Sequence, residues 1–287
     1  MKTSTEISSI AKIVGMEKAV ELVAKAEFDA WDFSMFDMCR INWSTKQPID
    51  KPHPLNGPDY LSFARKLKNI GLEHGIVCNQ SHAPFPVDVP AVRSYLLRAI
   101  ECTAEAGGEI CIIHPDNNKT AEENAEMYHE LLPFAKSCGV KIATENMFNW
   151  RDGEDHSCPA ACSTGEDFCR HIDVVNDEFF VACLDLGHAE MRGSGGGAAN
   201  MIRALGSRLK ALHIHDNDRL DDCHQIPFSM NIDFYEIVRA LKEVSYDGYL
   251  TLEANSFMRD YNEETVFEGV KKLHASVTKL SDMFDKV

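Results

Sequence analysis

The sequence predicts an α/β fold of the (β/α)8 type, a TIM barrel, with residues 1–287 forming one domain. Three observations predict it. The chain has 287 residues, near the ~250 typical of one such barrel. Short apolar runs alternate with amphipathic stretches along its whole length, the βαβα order of a parallel sheet covered by helices. From the third run onward each apolar run ends in a histidine or a carboxylate, and this fold carries its chemistry at the C-terminal ends of its strands.

The elements follow in order. The first expected strand is around Lys2–Ser8, and a helix follows at Met16–Lys25 with Ala19, Val20, Leu22 and Val23 on one side. Phe28–Phe33 (FDAWDF) is the second strand. A long loop from Cys39 to Pro58 holds several prolines and Trp43, and leads to a helix at about Asp59–Ile70. Gly75–His82 (GIVCNQSH) is the third strand, ended by Pro84. Val89–Ala106 reads as one helix. Glu109–His114 (EICIIH) is the fourth strand, ended by Pro115. Thr120–Ser137 is the next helix, with Thr120 and Glu123 spaced as a capping box. Val140–Glu145 (VKIATE) is the fifth strand. An irregular stretch from Met147 to Ser163 precedes a short helix at Thr164–Ile172. Phe179–Asp185 (FFVACLD) is the sixth strand, and a glycine-rich GSGGG stretch at 193–197 leads into a helix near Ala198–Leu205. Leu209–His215 (LKALHIH) is the seventh strand, Asp233–Val244 a helix, and Tyr249–Glu253 (YLTLE) the eighth strand. Glu264–Phe284 closes the chain as a helix.

Composition narrows the function classes. The formal net charge of -16 opposes contact with a phosphate backbone, and no basic stripe is visible, so nucleic acid is not the expected partner. No segment approaches the ~20 apolar residues of a membrane span, and the N-terminus MKTSTEISSIAKIVG has no long apolar core of a signal peptide. Ten cysteines without those signals suggest a reducing cytoplasm rather than a disulfide framework. Cys78, Cys111 and Cys183 lie in apolar runs and read as small buried hydrophobes. Cys158 and Cys162, in CPAAC, lack the spacing of a Cys-x-x-Cys pair.

The strand ends carry the candidate chemistry: His82, His114, Glu145, Asp185 with His188 in the following turn, His213 and His215, and Glu253. Asp222 and His224 sit in the loop after the seventh strand. Any one of these alone reads as a hydrogen-bonded structural residue. As a set they differ, because clustered buried carboxylates repel and lose hydration unless a cation joins them. Imidazole and carboxylate ligands suit zinc, manganese, iron or cobalt better than calcium or magnesium. His213 and His215 are two apart and so share a strand face; His213 is the favoured ligand, with His215 beside it or on the substrate.

At these residues the chain resembles the xylose isomerase-like superfamily, which joins sugar isomerases and epimerases with the endonuclease IV family of abasic-site nucleases. The resemblance covers nearly the whole chain and rests on SHAPF around His82, IIHP around His114, ATEN around Glu145, LDLGHAE around Asp185 and His188, LHIHDND around His213, and LEAN around Glu253. For the epimerase branch it implies one divalent cation, zinc or manganese, on Glu145, Asp185, His213 and Glu253. Glu145 and Glu253 would be the catalytic pair, moving a proton between the two faces of a carbon beside a carbonyl made acidic by the cation. His188 and Arg219, six residues after His213, would contact the sugar.

For the endonuclease branch the resemblance implies three zinc ions. His82, His114, Glu145, Asp185, His188, His213, Asp222, His224 and Glu253 match those ligands, so His82, His114, His188, His215, Asp222 and His224 stand as further metal or substrate contacts. Three departures count against DNA repair: the Gly-Gln-Gly after the Glu-Asn is missing, Asn146 leading into Met147 and Phe148; basic groove-reading loops are not apparent; and the charge is acidic. The expected activity is thus a metal-dependent sugar or sugar-phosphate isomerase or epimerase acting on a small carbohydrate. The alternatives are a zinc phosphoesterase and a non-catalytic sugar-binding relative. Members of the superfamily are often dimers or tetramers, so a homo-oligomer fits.

The loops bear on substrate. Trp43 and the prolines of 48–58 form either a lid or a plain surface loop, and Trp150, Arg151 and His156 stand ready on the other side. Arg192, Arg203 and Arg219 are the candidates for binding a phosphate, with Arg203 expected on a helix exterior. GSGGG lacks a following Lys-Ser/Thr, and reads as a flexible connection rather than a phosphate loop.

Overall fold

Eight parallel strands alternate with helices in the computed structural model, which describes residues 1–287. The strands are β1 (Lys2–Thr5), β2 (Ala30–Ser34), β3 (Val77–His82), β4 (Ile110–Ile112), β5 (Lys141–Glu145), β6 (Phe180–Asp185), β7 (Leu209–His213) and β8 (Tyr249–Leu252). The strands β2 to β7 pair in chain order as one parallel sheet. β8 pairs in parallel with β1, and single bridges at Glu6↔Asp32 and Ile214↔Leu252 join that pair to both sheet edges. The barrel is closed, as expected, and leaves no edge strand.

The helices turn apolar stripes onto the outside of the barrel. Phe234–Glu243 buries Phe234, Ile237, Val238 and Leu241, the i, i+3, i+4, i+7 spacing of one helix face. The capping box at Thr120 is formed: its side chain accepts from Glu123 N while Glu123 accepts from Thr120 N.

Three elements depart from expectation. The first strand stops at Thr5, and Ser8–Val14 forms an additional short helix. The Glu6 carboxylate accepts the amide of Ser9, satisfying a donor at the start of that helix. The expected helix Val89–Ala106 is two pieces, Pro90–Arg93 and Leu96–Ala106, the first opening on a proline at its first helical position. The GSGGG stretch is no slack connection. A Cβ on Gly195 would meet the carbonyl oxygen of Ala189 at 2.0 Å, so the glycine permits close backbone packing.

The two irregular stretches hold small hairpins, Ile41–Asn42 with Gln47–Pro48 and Phe148–Asn149 with Cys158–Pro159. All ten cysteines are free thiols. No helix is long and apolar enough to cross a membrane.

The barrel interior has two halves. On β4 to β7 it is apolar and small: Ile112, Ala143, Val181, Cys183 and Ala211 pack together. On β8 and β1 to β3 it is polar: Ser4, Asp32, Asn79, Gln80 and Thr251 are buried there and hydrogen-bonded to one another. A register shift pairs Trp31 with Cys78 but Asp32 with Gln80, leaving Asn79 as an extra residue.

Candidate metal centre

Glu145, Asp185 and His213 are the last residues of β5, β6 and β7, and Glu253 directly follows β8. The parallel barrel therefore brings four potential metal ligands to one rim. Each offers one atom, and these atoms all lie within 4.8 Å of one another. All four residues are buried. The four residues that the sequence puts forward as metal ligands thus lie together.

Neighbouring groups hold these side chains. His213 Nδ1 lies 3.0 Å from Glu145 Oε1 and 3.5 Å from Glu253 Oε2. Asn146 ties β5 to β6: its side chain donates to Asp185 O at 2.9 Å and accepts from Asp185 N at 2.7 Å. Asp185 in turn caps the short helix Leu186–Glu190, accepting the amide of His188 at 2.8 Å. The Asn of ATEN and the turn of LDLGHAE are thus one clamp.

Two further groups flank the tetrad. His82 and His114 converge on Glu145, and His188, His215, Asp222 and His224 form a cluster on the far side. Backbone carbonyls select the ring orientation of three of these histidines. His82 Nδ1 donates to Ala83 O at 2.8 Å, His188 Nδ1 to Asn146 O at 2.9 Å and His224 Nδ1 to Glu253 O at 2.6 Å. Each then turns Nε2 toward the rim, the arrangement in which imidazole accepts a metal ion. His215 Nε2 bridges the groups, 3.1 Å from Asp185 Oδ1 and 3.4 Å from Asp222 Oδ1. It fits this close only because residue 187 is glycine: a Cβ there would meet His215 Cε1 at 1.9 Å.

Charge balance explains the titration behaviour. Burial opposes ionisation of Glu145, but the charges and hydrogen bonds of His213, His114 and His82 hold its carboxyl well below the usual range. Burial likewise opposes charge on His213, and Cys183, Glu145 and Glu253 outweigh it, holding the imidazole well above its ordinary value. His188 is raised in the same way by Asp185 and Asp222 against its burial. His224 is raised to about 10, Asp222 overcoming burial. Protonated imidazoles thus neutralise the carboxylates, and a cation can take their place with release of protons.

A cavity of about 580 Å³ opens over the tetrad, with Glu145 and Glu253 in its wall. His82, His114, His188, Asp222 and His224 also face it. Trp43 lies on its rim, 61% exposed, beside Phe85 at 6.2 Å between ring centroids. Phe85 stacks on His114 and Phe148 packs edge-on against His188; Trp43 and Phe148 come from the two irregular stretches, so both stretches supply walls.

Arg219 is placed differently from the expectation: it pairs with Glu190 at 3.1 Å and does not line the cavity. Arg192 does not line it either, and Arg203 sits in ion pairs with Glu236 and Glu243 on helix exteriors. The basic side chains at the mouth are Lys12 and Arg259. Cys183, expected as plain core, joins Glu145 and His213 as a third close group. The sequence reading also missed Asp32, whose Oδ2 lies 3.4 Å from His213 Nε2.

The residues fit a divalent cation. Asp185 Oδ2 and Asp222 Oδ1 are buried acceptors without a hydrogen-bond partner, and Glu145 Oε2 has only the longer contacts of His114 and His82, at 3.2 and 3.4 Å. Such atoms lose hydration with nothing in return unless a ligand joins them. Three carboxylates and one imidazole are a donor set for zinc or manganese.

An uncharacterized protein of Methanocaldococcus jannaschii is 27% identical over 263 residues, spanning 85% of this chain and 80% of its own. The fold is similar to that of a D-tagatose 3-epimerase-like protein, with a TM-score of 0.72 at 22% identity over 100% of this chain and 99% of the other. It is equally similar to the IolI protein with a bound zinc atom, with a TM-score of 0.72 at 17% identity over 100% and 99%. Residues 20–274 match the xylose isomerase-like TIM barrel family, and the chain belongs to that family.

Proposed function

We propose that this protein is a metal-dependent isomerase or epimerase of a sugar or sugar phosphate. The observation that carries this reading is the tetrad Glu145, Asp185, His213 and Glu253, with unpaired buried acceptors, of which Glu145 and Glu253 line a substrate-sized cavity. The names of the two structural relatives agree with it.

Zinc or manganese bound there would act as a Lewis acid on neighbouring carbonyl and hydroxyl oxygens. Glu145 and Glu253 stand on different strands around the same point and both reach the cavity. One takes the proton from the carbon beside the carbonyl, and the other returns a proton on the opposite face. His188, held by Asn146 O, turns Nε2 toward substrate oxygens. Phe85, Phe148 and Trp43 supply apolar walls that exclude water. A phosphate, if the substrate carries one, meets Lys12 and Arg259 rather than Arg192, Arg203 or Arg219. Ten unbonded cysteines suit a reducing cytoplasm.

A second reading, a zinc phosphoesterase, draws on the two flanking clusters, which would hold further ions. The formal charge of -16 disfavours a nucleic acid as its substrate.

The test is solvent exchange. Zinc- or manganese-loaded protein incubated with a panel of ketoses and ketose phosphates in heavy water should place deuterium on the carbon beside the carbonyl. E145Q and E253Q should each abolish this. No exchange on any member, with hydrolysis of phosphate esters instead, would replace the first reading by the second.

A further inference from the structure

Three histidines at the rim have their ring orientation set by a backbone carbonyl, and His213 does not. Its Nδ1 faces Glu145 and Glu253, so a cation held by the tetrad takes its Nδ1 lone pair. The proton must then sit on Nε2, which is buried and has no hydrogen-bond partner of ordinary length. A buried N–H without an acceptor is costly. The carboxylate within reach is Asp32, its Oδ2 3.4 Å away on the side opposite the tetrad.

Asp32 is itself fully buried and held from two sides. Gln80 Nε2 donates to its Oδ2 at 2.9 Å, and Ser34 Oγ to its Oδ1 at 3.3 Å. Gln80 Nε2 also reaches Leu212 O at 3.3 Å, the residue before His213. Its Oε1 accepts from Asn79 Nδ2 at 3.2 Å and from Thr251 Oγ1 at 3.3 Å, while Ser4 Oγ donates to Asn79 at 2.7 Å. Where this fold ordinarily packs branched apolar side chains, four strands here contribute a hydrogen-bonded polar layer below the rim. Its terminal acceptor is the Asp32 carboxylate.

We propose that Asp32 is a positioning residue: it accepts the Nε2 proton of His213, fixes the tautomer with Nδ1 free, and raises the basicity of that ligand, with Gln80 holding the carboxylate in place. The inference rests on the metal reading of the tetrad. A carboxylate behind a metal-bound histidine orients the ring and strengthens its donor atom, and loss of such a partner costs about 10- to 100-fold in metal affinity.

The experiment compares zinc affinity of wild type, D32N and D32A, by competition with a chromophoric chelator, alongside thermal melting of the zinc-stripped proteins. D32N preserves the volume of the side chain and removes its charge. It should bind zinc at least about ten-fold more weakly, D32A more weakly still, while stripped D32N melts with stripped wild type. A packing role predicts the reverse for D32N, and D32N binding zinc within two-fold of wild type would overturn the proposal. A wild type that binds no zinc would sink the metal reading itself, a separate failure. Should D32N not fold, nitrogen-15 spectra of zinc-loaded wild type decide it, the His213 signals being identified by their absence in H213Q. A hydrogen-bonded Nε2–H is expected, and a proton on Nδ1 with zinc on Nε2 would overturn the proposal.

Discussion

The Nε2 atoms of His82 and His114 face each other at 2.8 Å, and both stand beside Glu145 Oε2, at 3.4 and 3.2 Å. Two ring nitrogens at that distance need one proton between them. His82 spends its own on Ala83 O, so the shared proton is carried by His114. Burial lowers His114 to about 4, and the ring stays neutral in the folded chain.

The pH dependence of the metal-free protein follows. The unfolded chain protonates His114 near 6.5 while the folded chain does so only near 4. The unfolded state therefore binds more protons in that window, and stability falls as pH drops through it. The contribution is up to about 3 kcal/mol at 1.36 kcal/mol per pH unit. Urea unfolding of chelator-treated protein at pH 7, 5.5 and 4.5 should show the decline, and H114Q should flatten it. An equal slope in H114Q would count against the assignment.

Glu6 gives the opposite sign. Burial, with Glu253 and Asp32 nearby, raises its carboxyl to about 7 against the hydrogen bonds from Ser9. The folded chain then holds an extra proton between about 4.5 and 7. That stabilisation is complete below the lower value and is lost as pH rises through the upper one. E6Q has no such titration, so its stability relative to wild type should improve by up to about 3 kcal/mol between pH 4.5 and pH 8. Unfolding curves at those two pH values that shift in parallel would contradict this.

Gly187 tests the packing of the flanking cluster. A methyl group there would overlap the His215 ring, which is fully buried and cannot swing away. G187A should cost roughly 1–3 kcal/mol, the usual range for overpacking a core, measured by urea denaturation. A variant as stable as wild type would show that His215 moves freely.

The rim was legible in the sequence because each candidate ligand closes an apolar run. Glu145 after VKIAT and Asp185 after FFVACL can only be strand ends in this fold, and the structure gathers them with His213 and Glu253. Asp32 was not legible. It lies inside FDAWDF, where strand alternation sends Trp31 and Phe33 to the helix side and Asp32 to the interior, but nothing local names His213, on a distant strand, as its partner. The helix Ser8–Val14 was hidden because its start depends on the Glu6 side chain, a contact with no periodicity. Arg219 shows the limit of position counting: it has the expected spacing from His213, but φ is +70° there and Glu190 takes its guanidinium.

The most direct test of the account is metal content per chain, by elemental analysis of protein purified without added metal or chelator, in wild type and H213Q side by side. The tetrad predicts at least one zinc or manganese per chain in wild type, and one fewer in H213Q. Wild type free of transition metal, or H213Q with an unchanged content, would contradict it.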